Sequence, residues 1–286
     1  MRTLFDLELP TTYPSPAVKW LGGKSDLADQ IIPLLPHDVR ARRWFEPFAG
    51  GAAMFFRIQP RCAVLSDTCA DLIGLYEVLQ CYDLEAFGDE LGILAASHRA
   101  KPREHYESIR KAFNRGGESV ELGDRIHCAA HFLYLNRTGF NGLHRVNQKG
   151  KFNVPFGDVD EFRFDMPNLT QCGLVLRSAE LYCESFEGVL SRAQARDVVY
   201  FDPPFHGTFT GYSGEFDERA QVRLRDVFRE LDKRGVVVVL SSSDSTFIRE
   251  IYQGYEVTVV RAGRAVGARG SSRGNVDELV IRGKTR

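Results

Sequence analysis

The sequence lacks the features that mark secreted and membrane-spanning proteins. No apolar run approaches the roughly 20 residues that a transmembrane helix needs. The first sixteen residues are acidic and interrupted by prolines, with no apolar stretch, so we expect no signal peptide. The 286 residues include six cysteines, and none of them stands in a CxxC pair. We therefore expect a cytoplasmic protein with reduced thiols.

Metal-ligand patterns, sequence repeats and a large net charge are missing as well. No histidine cluster accompanies the cysteines at the spacing of a zinc site, so no metal is expected. No repeat with a period of about 20–50 residues is visible, which argues against a solenoid. The net charge is −1, from 37 basic and 38 acidic side chains. Taken alone, this balance argues against a strongly basic nucleic-acid-binding protein.

Short apolar runs that end in polar residues predict an α/β sheet. Four of them are typical of buried parallel strands: Arg43–Glu46, Cys62–Ser66, Asp197–Phe201 and Val236–Leu240. Three segments between them have apolar residues at helical spacing: Ser25–Ile32, Asp71–Gln80 and Asp217–Lys233. Such alternation indicates a Rossmann-like, mainly parallel sheet.

The ends of these elements carry further expectations. Ser25 is expected to cap the first helix, and Pro33 is expected to stop it. Near the end of the chain, the apolar runs Glu256–Val260 and Glu278–Ile281 are expected to pair as edge strands.

Residues 81–175 do not follow the strand and helix rhythm of the rest. They contain helical patterns followed by a loop rich in glycine and asparagine. We therefore predict an inserted, mainly helical domain at 81–175, between a first part of the sheet at 1–80 and a second part at 176–286.

Two strand ends carry residues suited to a nucleotide ligand. After the first strand, small residues around Gly50 would let the backbone approach a ligand, although a tight turn explains them equally well. Asp67 ends the next strand, where an acid can accept the hydroxyl groups of a ribose. A helix cap is the alternative role for Asp67.

The turn Asp202-Pro203-Pro204-Phe205 follows a third strand directly and is more specific. The prolines stiffen the turn, so that an acid and a carbonyl can both accept hydrogen bonds from one amino group. Phe205 offers a flat face for a planar base. Stacking combined with capture of an amino group suits an enzyme that holds a nucleobase outside its helix. A rigid turn with a core phenylalanine is the alternative.

Taken in order, these segments resemble the Dam-like DNA adenine-N6 methyltransferases, the α-group of the D12 class. The resemblance covers nearly the whole chain and rests on these segments: Val18–Lys24, Phe45–Gly51, Leu65–Tyr76, Tyr134–Asn147, Lys151–Gly157, Tyr182–Phe186, Asp202–Phe205 and Asp277–Ile281. It implies a Rossmann-like methyltransferase sheet interrupted by a DNA-recognition domain with a β-hairpin. It also implies S-adenosylmethionine as methyl donor and duplex DNA as substrate.

The resemblance assigns roles to three groups of residues. The catalytic group is Asp202, Pro203, Pro204 and Phe205. The cofactor-binding group is Trp20, Lys24, Phe48, Gly50, Asp67, Ser185, Phe186 and Asp202. The DNA-binding group is Lys19, Arg137, Phe140, Asn141, Leu143, Arg145 and Pro155.

Within the DNA-binding group, Arg145 is expected to read a guanine through its forked guanidinium. Phe140 and Asn141 are expected to support the strand that a flipped base leaves, and Leu143 and Pro155 to touch a thymine methyl. The hairpin could instead grip only phosphates. Residues 136–151 carry four basic side chains and no acid.

Charge is also segregated at the end of the chain. Residues 261–286 carry seven basic side chains and two acids. A loop that becomes ordered on DNA and a solvated tail are equally good interpretations. The two basic segments predict a basic cleft whose DNA binding weakens with salt.

Two departures from the family pattern bear on the activity and on the target sequence. Phe205 stands where better-known members carry tyrosine, and Asp158 stands where GATC-reading members carry a basic residue. The alternatives are an amino-methyltransferase that acts on RNA or on cytosine N4, and a catalytically weakened DNA-binding homologue. The target sequence is left open. A monomer is expected, and a cognate restriction endonuclease is a candidate partner.

Overall fold

One sheet of seven strands organises the described part of the chain. The computed structural model describes residues 12–81, 83–115, 122–207, 216–262 and 276–285. The strands are β1 Arg43–Glu46, β2 Cys62–Asp67, β3 Ala179–Cys183, β4 Val198–Phe201, β5 Val237–Ser243, β6 Glu256–Ala262 and β7 Val276–Arg282. Their order is β3-β2-β1-β4-β5-β7-β6, and within these residues β7 is the strand that runs opposite to the other six.

The four predicted parallel strands are confirmed, and the Rossmann-like α/β class with them. The predicted pairing of the last two runs is also confirmed, but their placement as edge strands is wrong in part. β6 is the edge, whereas β7 lies between β5 and β6 and bonds to both. The other edge strand, β3, was not predicted, because Ala179 is its only buried residue and it has no apolar run.

Ten α-helices of the described residues surround the sheet. They are α1 Ala28–Ile31, α2 Ala53–Ile58, α3 Ala70–Cys81, α4 Leu84–Ala100, α5 Pro102–Phe113, α6 Leu122–Thr138, α7 Met166–Leu176, α8 Val189–Arg192, α9 Glu218–Lys233 and α10 Thr246–Ile251. Helices α3 and α9 match their predictions. The first helix is shorter than predicted, because Ser25 lies in a turn and does not cap it. The end of the α-helix agrees with the predicted stop at Pro33, because α1 ends at Ile31. Pro33 lies early in the short 3-10 helix Ile32–Leu34 that follows, where its missing N–H loses no bond.

Two hydrophobic clusters cover the two faces of the sheet. Because side chains alternate along a strand, Trp44 packs on one face and Phe45 on the other. The Phe45 cluster includes Leu224 and Phe228 of α9. The Trp44 cluster continues into the helices of the insertion through residues such as Phe87 and Phe132. The inserted helices therefore share a core with the sheet, and the division at 81 and 175 stays a prediction.

The order of the strands determines where a ligand can bind. The chain reverses its direction of winding between β1 and β4, which are neighbours in the middle of the sheet. In open α/β sheets, ligands bind beyond the carboxyl ends of the strands at this point. The glycine loop after β1 and the Asp202 turn after β4 both lie there.

The ends of the predicted basic tail belong to the sheet. Arg261 is part of β6, and Arg282 of β7 forms an ion pair with Glu256. Residues 263–275, which hold most of the predicted flexible loop, lie outside the described residues. Among the described helices, none has both the length and the apolar composition to cross a bilayer.

A matched pair of glycine substitutions tests the packing of α7 on α3. A Cβ at Gly173 would overlap the carbonyl oxygen of Leu79, whereas a Cβ at Gly92 of α4 would meet no atom within 4 Å. We expect Gly173→Ala to lower the free energy of unfolding by about 1–3 kcal/mol. Gly92→Ala should raise it by about 0.5–1 kcal/mol, because alanine loses less backbone entropy in a helix. Urea unfolding measures both, and equal effects would contradict this packing.

Candidate active site

A buried lysine holds the acid of the Asp202 turn. The turn begins where β4 ends, and the Nζ atom of Lys24 lies 2.8 Å from Oδ1 of Asp202. Only 3% of the Lys24 side chain is exposed. Its ammonium also donates to the carbonyl oxygen of Gly22 at 2.6 Å. A desolvated cation needs such partners, so the pair orients both side chains.

A second acid and an aromatic ring complete the surroundings of Lys24. Oε2 of Glu278, from β7, lies 3.8 Å from Nζ, and the ring centre of Phe205 lies 4.7 Å away. Burial raises the pKa of Asp202 and of Glu278, while Lys24 lowers both. One cation thus faces two carboxyl groups, and the site favours a further positive charge when both are ionised.

Glu46, at the end of β1, is a third carboxyl group beside this cluster. Its Oε2 accepts hydrogen bonds from the indole Nε1 of Trp44 at 3.0 Å and from the backbone N–H of Phe55 at 3.1 Å. Burial, together with the nearby Asp202, raises the pKa of Glu46 to about 8, against the lowering effect of these hydrogen bonds and of Lys24. The group is therefore mostly protonated at pH 7 and adds little negative charge.

The glycine loop after β1 is shaped by a close contact with Trp20. Gly50 has a φ of +46°, and a Cβ there would lie 2.6 Å from Cδ1 of Trp20. The hydroxyl of Tyr76 donates to the Gly50 carbonyl at 2.5 Å. Ala52, just before α2, has a φ of +52°. The loop is held from two sides and leaves room for no side chain at Gly50.

Asp67, at the end of β2, is oriented by backbone hydrogen bonds. Its Oδ2 accepts from the N–H of Gly50 at 3.0 Å, and its Oδ1 accepts from the N–H of Cys69 at 2.9 Å. Burial raises the pKa of Asp67, against the effect of these bonds. Because α3 begins at Ala70, the bond to Cys69 closes a turn before the helix, and Asp67 does not cap it. Because each carboxylate oxygen has a second lone pair, ribose binding remains compatible.

Aromatic rings form an apolar wall beyond the same strand ends. Phe48 stacks on Phe186 with ring centres 5.3 Å apart, and Phe216 meets Phe48 edge-on at 5.6 Å. Ser185 begins the short 3-10 helix that holds Phe186, and its Oγ accepts from the N–H of Glu187 at 3.5 Å. Such a wall suits the flat face of an adenine ring.

A cleft of about 470 Å³ opens beside the Lys24 cluster. Its walls include Trp20, Gly51, Glu278, Lys19 and Arg137. This volume is in the ordinary range of small-molecule sites. The cleft thus connects predicted cofactor residues with predicted DNA residues.

The predicted hairpin is present as two isolated bridges, Gly139 with Phe156 and Val146 with Phe152. Nε of Arg145 donates to Oδ1 of Asn153 at 2.7 Å, and its Nη2 donates to the Asn153 carbonyl at 3.1 Å. The guanidinium is therefore held in one orientation by the opposite strand. Such fixing is useful for a side chain that reads a base.

The residues near the open end of the hairpin, beside the Gly139–Phe156 bridge, differ in exposure. Phe140 is 49% exposed, and Asn141 beside it is exposed with a φ of +54°. Pro155 is exposed too, and its carbonyl accepts from the N–H of Phe140 at 3.0 Å. Leu143 is half-buried and packs on the core.

Two predicted DNA residues, Lys19 and Arg137, take part in contacts between the N-terminal segment and α6. The Asn136 side chain bonds to both the N–H and the carbonyl of Lys19, at 2.9 and 2.8 Å, while the Lys19 side chain is exposed. Arg137 is half-buried and donates to the Ala17 carbonyl at 2.7 Å, and burial lowers the pKa of its guanidinium. Asp158 forms an ion pair with Arg103 at 2.5 Å.

The structure therefore brings the predicted catalytic and cofactor residues to one edge of the sheet. The hairpin residues lie on the inserted segment. Lys19 and Arg137 line the cleft that connects the hairpin side with this edge. Sequence reasoning gave no role to Glu46, Glu278, Tyr76 or Asn136. A charged residue within or at the end of an apolar strand is the signal that marks Glu46 and Glu278. No local sequence signal marks Tyr76 or Asn136.

Comparison with known proteins agrees with this geometry. Residues 20–266 match the family of D12 class N6 adenine-specific DNA methyltransferases. Over 281 residues the chain is 35% identical to type II methyltransferase M1.LlaDCHI of Lactococcus lactis subsp. cremoris, covering 93% of this chain and 94% of that protein.

Two relatives are named DNA adenine methylase. The one from Vibrio cholerae serotype O1 is 35% identical over 92% of this chain and 94% of its own length. The one from Escherichia coli K12 is 34% identical over 92% of this chain and 93% of its own length. The chain belongs to the D12 class of N6 adenine-specific DNA methyltransferases. The predicted resemblance is confirmed, and action on RNA or on cytosine N4 is not favoured.

The buried Glu46 predicts a pH dependence of stability. Because the pKa of Glu46 is raised to about 8 from 4.5, the folded state holds a proton that the unfolded state releases between these values. This group therefore stabilises the fold below about pH 4.5 and loses that contribution as the pH rises toward 8, by at most about 1.4 kcal/mol per pH unit.

Glu46→Gln isolates this contribution, because glutamine keeps the acceptor for Trp44 and Phe55 but does not titrate. We expect the difference in unfolding free energy between the wild type and Glu46→Gln to change steadily between pH 5 and 8. Denaturant unfolding at several pH values measures it. A constant difference would show that Glu46 is ionised throughout.

Proposed function

We propose that the protein transfers a methyl group from S-adenosylmethionine to N6 of a flipped-out adenine at specific sites in duplex DNA. The observation that carries the proposal is the half-buried Asp202 carboxyl group, which Lys24 holds beside the Pro203 carbonyl at the point where the sheet reverses its winding. The family assignment and the basic hairpin support the same reaction.

Asp202 and Pro203 act on the amino group of the base. The N6 lone pair is delocalised into the adenine ring, which makes N6 a poor nucleophile. The Asp202 carboxylate and the Pro203 carbonyl oxygen accept its two hydrogens, which favours a more tetrahedral nitrogen with an exposed lone pair. The carbonyl of the next residue, Pro204, is already occupied by the Gln221 side chain at 2.9 Å. Catalysis then comes from positioning and electrostatics.

Asp202 also suits the removal of a proton. Burial raises the pKa of Asp202, so its carboxylate is a stronger base than an exposed one. It can take the proton that N6 loses when the new N–C bond forms. The positive charge of Lys24 keeps the carboxylate ionised before that step.

Phe205 stacks on the extruded base in this proposal. Its ring is half-buried and lies beside Lys24, next to the acceptors of the turn. A base held in such a pocket must first leave the duplex, and stacking offsets part of the cost of unstacking.

The residues fit the family's methyl donor in three respects. The backbone at Gly50 and Gly51 packs closely against Trp20, Asp67 presents an oriented carboxyl for ribose, and Phe48 and Phe186 provide an apolar wall for adenine. When bound, S-adenosylmethionine supplies an activated methyl group on a positively charged sulfur. The acids around Lys24 favour the positive charge of that sulfur. Lys24 can also reach the carboxylate of the methionine part of the donor. Trp20 and Ser185 lie beside the glycine loop and the aromatic wall, respectively.

The hairpin and the cleft beside it bind the DNA. Arg145 is prepositioned to read a guanine, while the exposed Phe140 and Asn141 at the open end of the hairpin support the strand that the flipped base leaves. Leu143 and Pro155 are placed to contact a thymine methyl, and Lys19 and Arg137 line the cleft. The overall charge of −1 therefore conceals a local basic surface.

Assembly and context complete the proposal. We infer that the protein acts as a cytoplasmic monomer, because the described residues hold the whole predicted catalytic group in one chain. Some relatives are named type II methyltransferases, which makes a cognate restriction endonuclease a candidate partner.

Removal of the Asp202 carboxylate tests the mechanism. In Asp202→Ala, Lys24 keeps Glu278 and the Gly22 carbonyl as partners, so we expect a folded protein that retains most of its S-adenosylmethionine affinity. Methyl transfer should fall at least about 100-fold. Asp244→Ala is the matched control, because Asp244 is exposed and pairs with Arg249.

The measurements are calorimetric cofactor binding and release of methylated nucleosides, separated by liquid chromatography. Unimpaired transfer in Asp202→Ala would refute the mechanism. Cofactor binding by the wild type without transfer to any DNA would indicate a weakened DNA-binding homologue instead.

A second pair of variants separates base reading from phosphate binding. The target is first identified by sequencing methylated positions in a host that lacks adenine methylation. Arg145→Ala should then reduce discrimination at one guanine by about 1–3 kcal/mol. Lys149→Ala should weaken binding equally on all sequences and reduce the slope of log affinity against log salt by about one. Unchanged specificity in Arg145→Ala, or salt-insensitive binding by the wild type, would contradict these roles.

A further inference from the structure

Two histidines and a glutamate converge on the inserted helices, on elements other than those that hold Lys24 and Asp202. His127 and His131 lie one turn apart on α6, and Glu90 faces them from α4. The potential ligand atoms of the three side chains all lie within 4.8 Å of one another. Nδ1 of His127 is 2.7 Å from Oε1 of Glu90, and the two imidazole ring centres are 3.9 Å apart.

The cluster is buried on one side and open to solvent on the other. His131 is 5% exposed, and a neutral imidazole has a ring nitrogen with a lone pair to offer. The His127 and Glu90 side chains are 52% and 24% exposed, so an ion can enter from solvent.

We propose that Glu90, His127 and His131 bind a divalent transition-metal ion of the zinc type. Two imidazoles one helical turn apart and one carboxylate are a donor set that zinc uses, with a fourth position left for water. Zinc lies about 2.0–2.1 Å from its ligand atoms, so these atoms must be closer together than the 4.8 Å that is the largest distance between them here. Small rotations of the side chains would bring them closer.

A bound ion would join two helices of the insertion. α4 and α6 pack against each other, and α6 ends at Thr138, directly before the hairpin. The same helix carries Asn136, whose side chain holds Lys19. The site therefore stabilises the base on which the DNA-binding hairpin stands, and it takes no part in methyl transfer.

A second group, Cys69, Asp71 and His144, is a weaker candidate and must be distinguished in any test. Burial raises the pKa of the Cys69 thiol, and Asp67 and Asp71 raise it further, so the thiolate that would bind a metal is disfavoured. The group also lies beside Trp20, which stacks on His144 with ring centres 5.8 Å apart.

The test uses the full-length protein without an affinity tag, after treatment with a chelator. Titration with ZnCl₂ followed by calorimetry should show one equivalent bound. His127→Gln and Glu90→Gln change partly exposed side chains, and each should weaken binding at least about tenfold. His37→Gln removes an exposed histidine elsewhere and should leave the affinity unchanged.

Cobalt identifies the ligands independently. Bound Co²⁺ should give visible absorption without the near-ultraviolet band of a cobalt–thiolate bond, and Cys69→Ser should not alter it. Absence of stoichiometric binding would overturn the proposal, as would unchanged affinity in both His127→Gln and Glu90→Gln. A thiolate band that disappears in Cys69→Ser would place the ion in the other group and would equally overturn it. None of these measurements depends on methyl transfer.

Discussion

The buried ammonium of Lys24 is the constraint on which the catalytic end of the sheet depends. An ammonium that is 3% exposed has lost most of its hydration, so it must be compensated by nearby acids and carbonyls. Asp202, Glu278 and the Gly22 carbonyl provide this compensation. Three segments that are far apart in the chain are thereby held together, and Lys24 opposes the rise that burial causes in the pKa of Asp202.

The position of β7 makes this arrangement possible. Because β7 lies between β5 and β6, Glu278 is paired with Ser243 at the carboxyl end of β5. At an outer edge, the same residue would lie farther from β4. The neutral Glu46 on the other side of β4 limits the negative charge, so the cluster contains one cation and two titrating acids.

The proposed DNA-binding hairpin and the proposed catalytic site share one hydrophobic core. The inserted helices continue the hydrophobic cluster of one sheet face, and Asn136 ties the last helix before the hairpin to Lys19. The hairpin, the cleft and the Lys24 cluster are therefore held in a defined relation. In the proposed reaction this relation matters, because a base that leaves the duplex must be placed beside Asp202 and Phe205.

Much of the architecture follows from local sequence pattern. The runs at β1, β2, β4 and β5 are short and apolar, and α3 and α9 have helical periodicity with Asp217 as a cap, so these elements could be predicted. The Asp202-Pro203-Pro204-Phe205 turn indicated the chemistry, because its rigidity and acceptors are properties of adjacent residues. β3 could not be predicted, because this exposed edge strand has no apolar run. The start of the first helix was predicted too early, because Ser25 does not cap it and α1 begins at Ala28.

The sequence by itself thus determined the α/β class, the family and the residue types of the site. Only the tertiary structure decided which charges meet. The pairing of Lys24 with Asp202 and Glu278, the protonation of Glu46 and the grouping of Glu90 with His127 join positions far apart in the chain. Such contacts depend on strand order, helix packing and burial, and these arise only when the whole core forms.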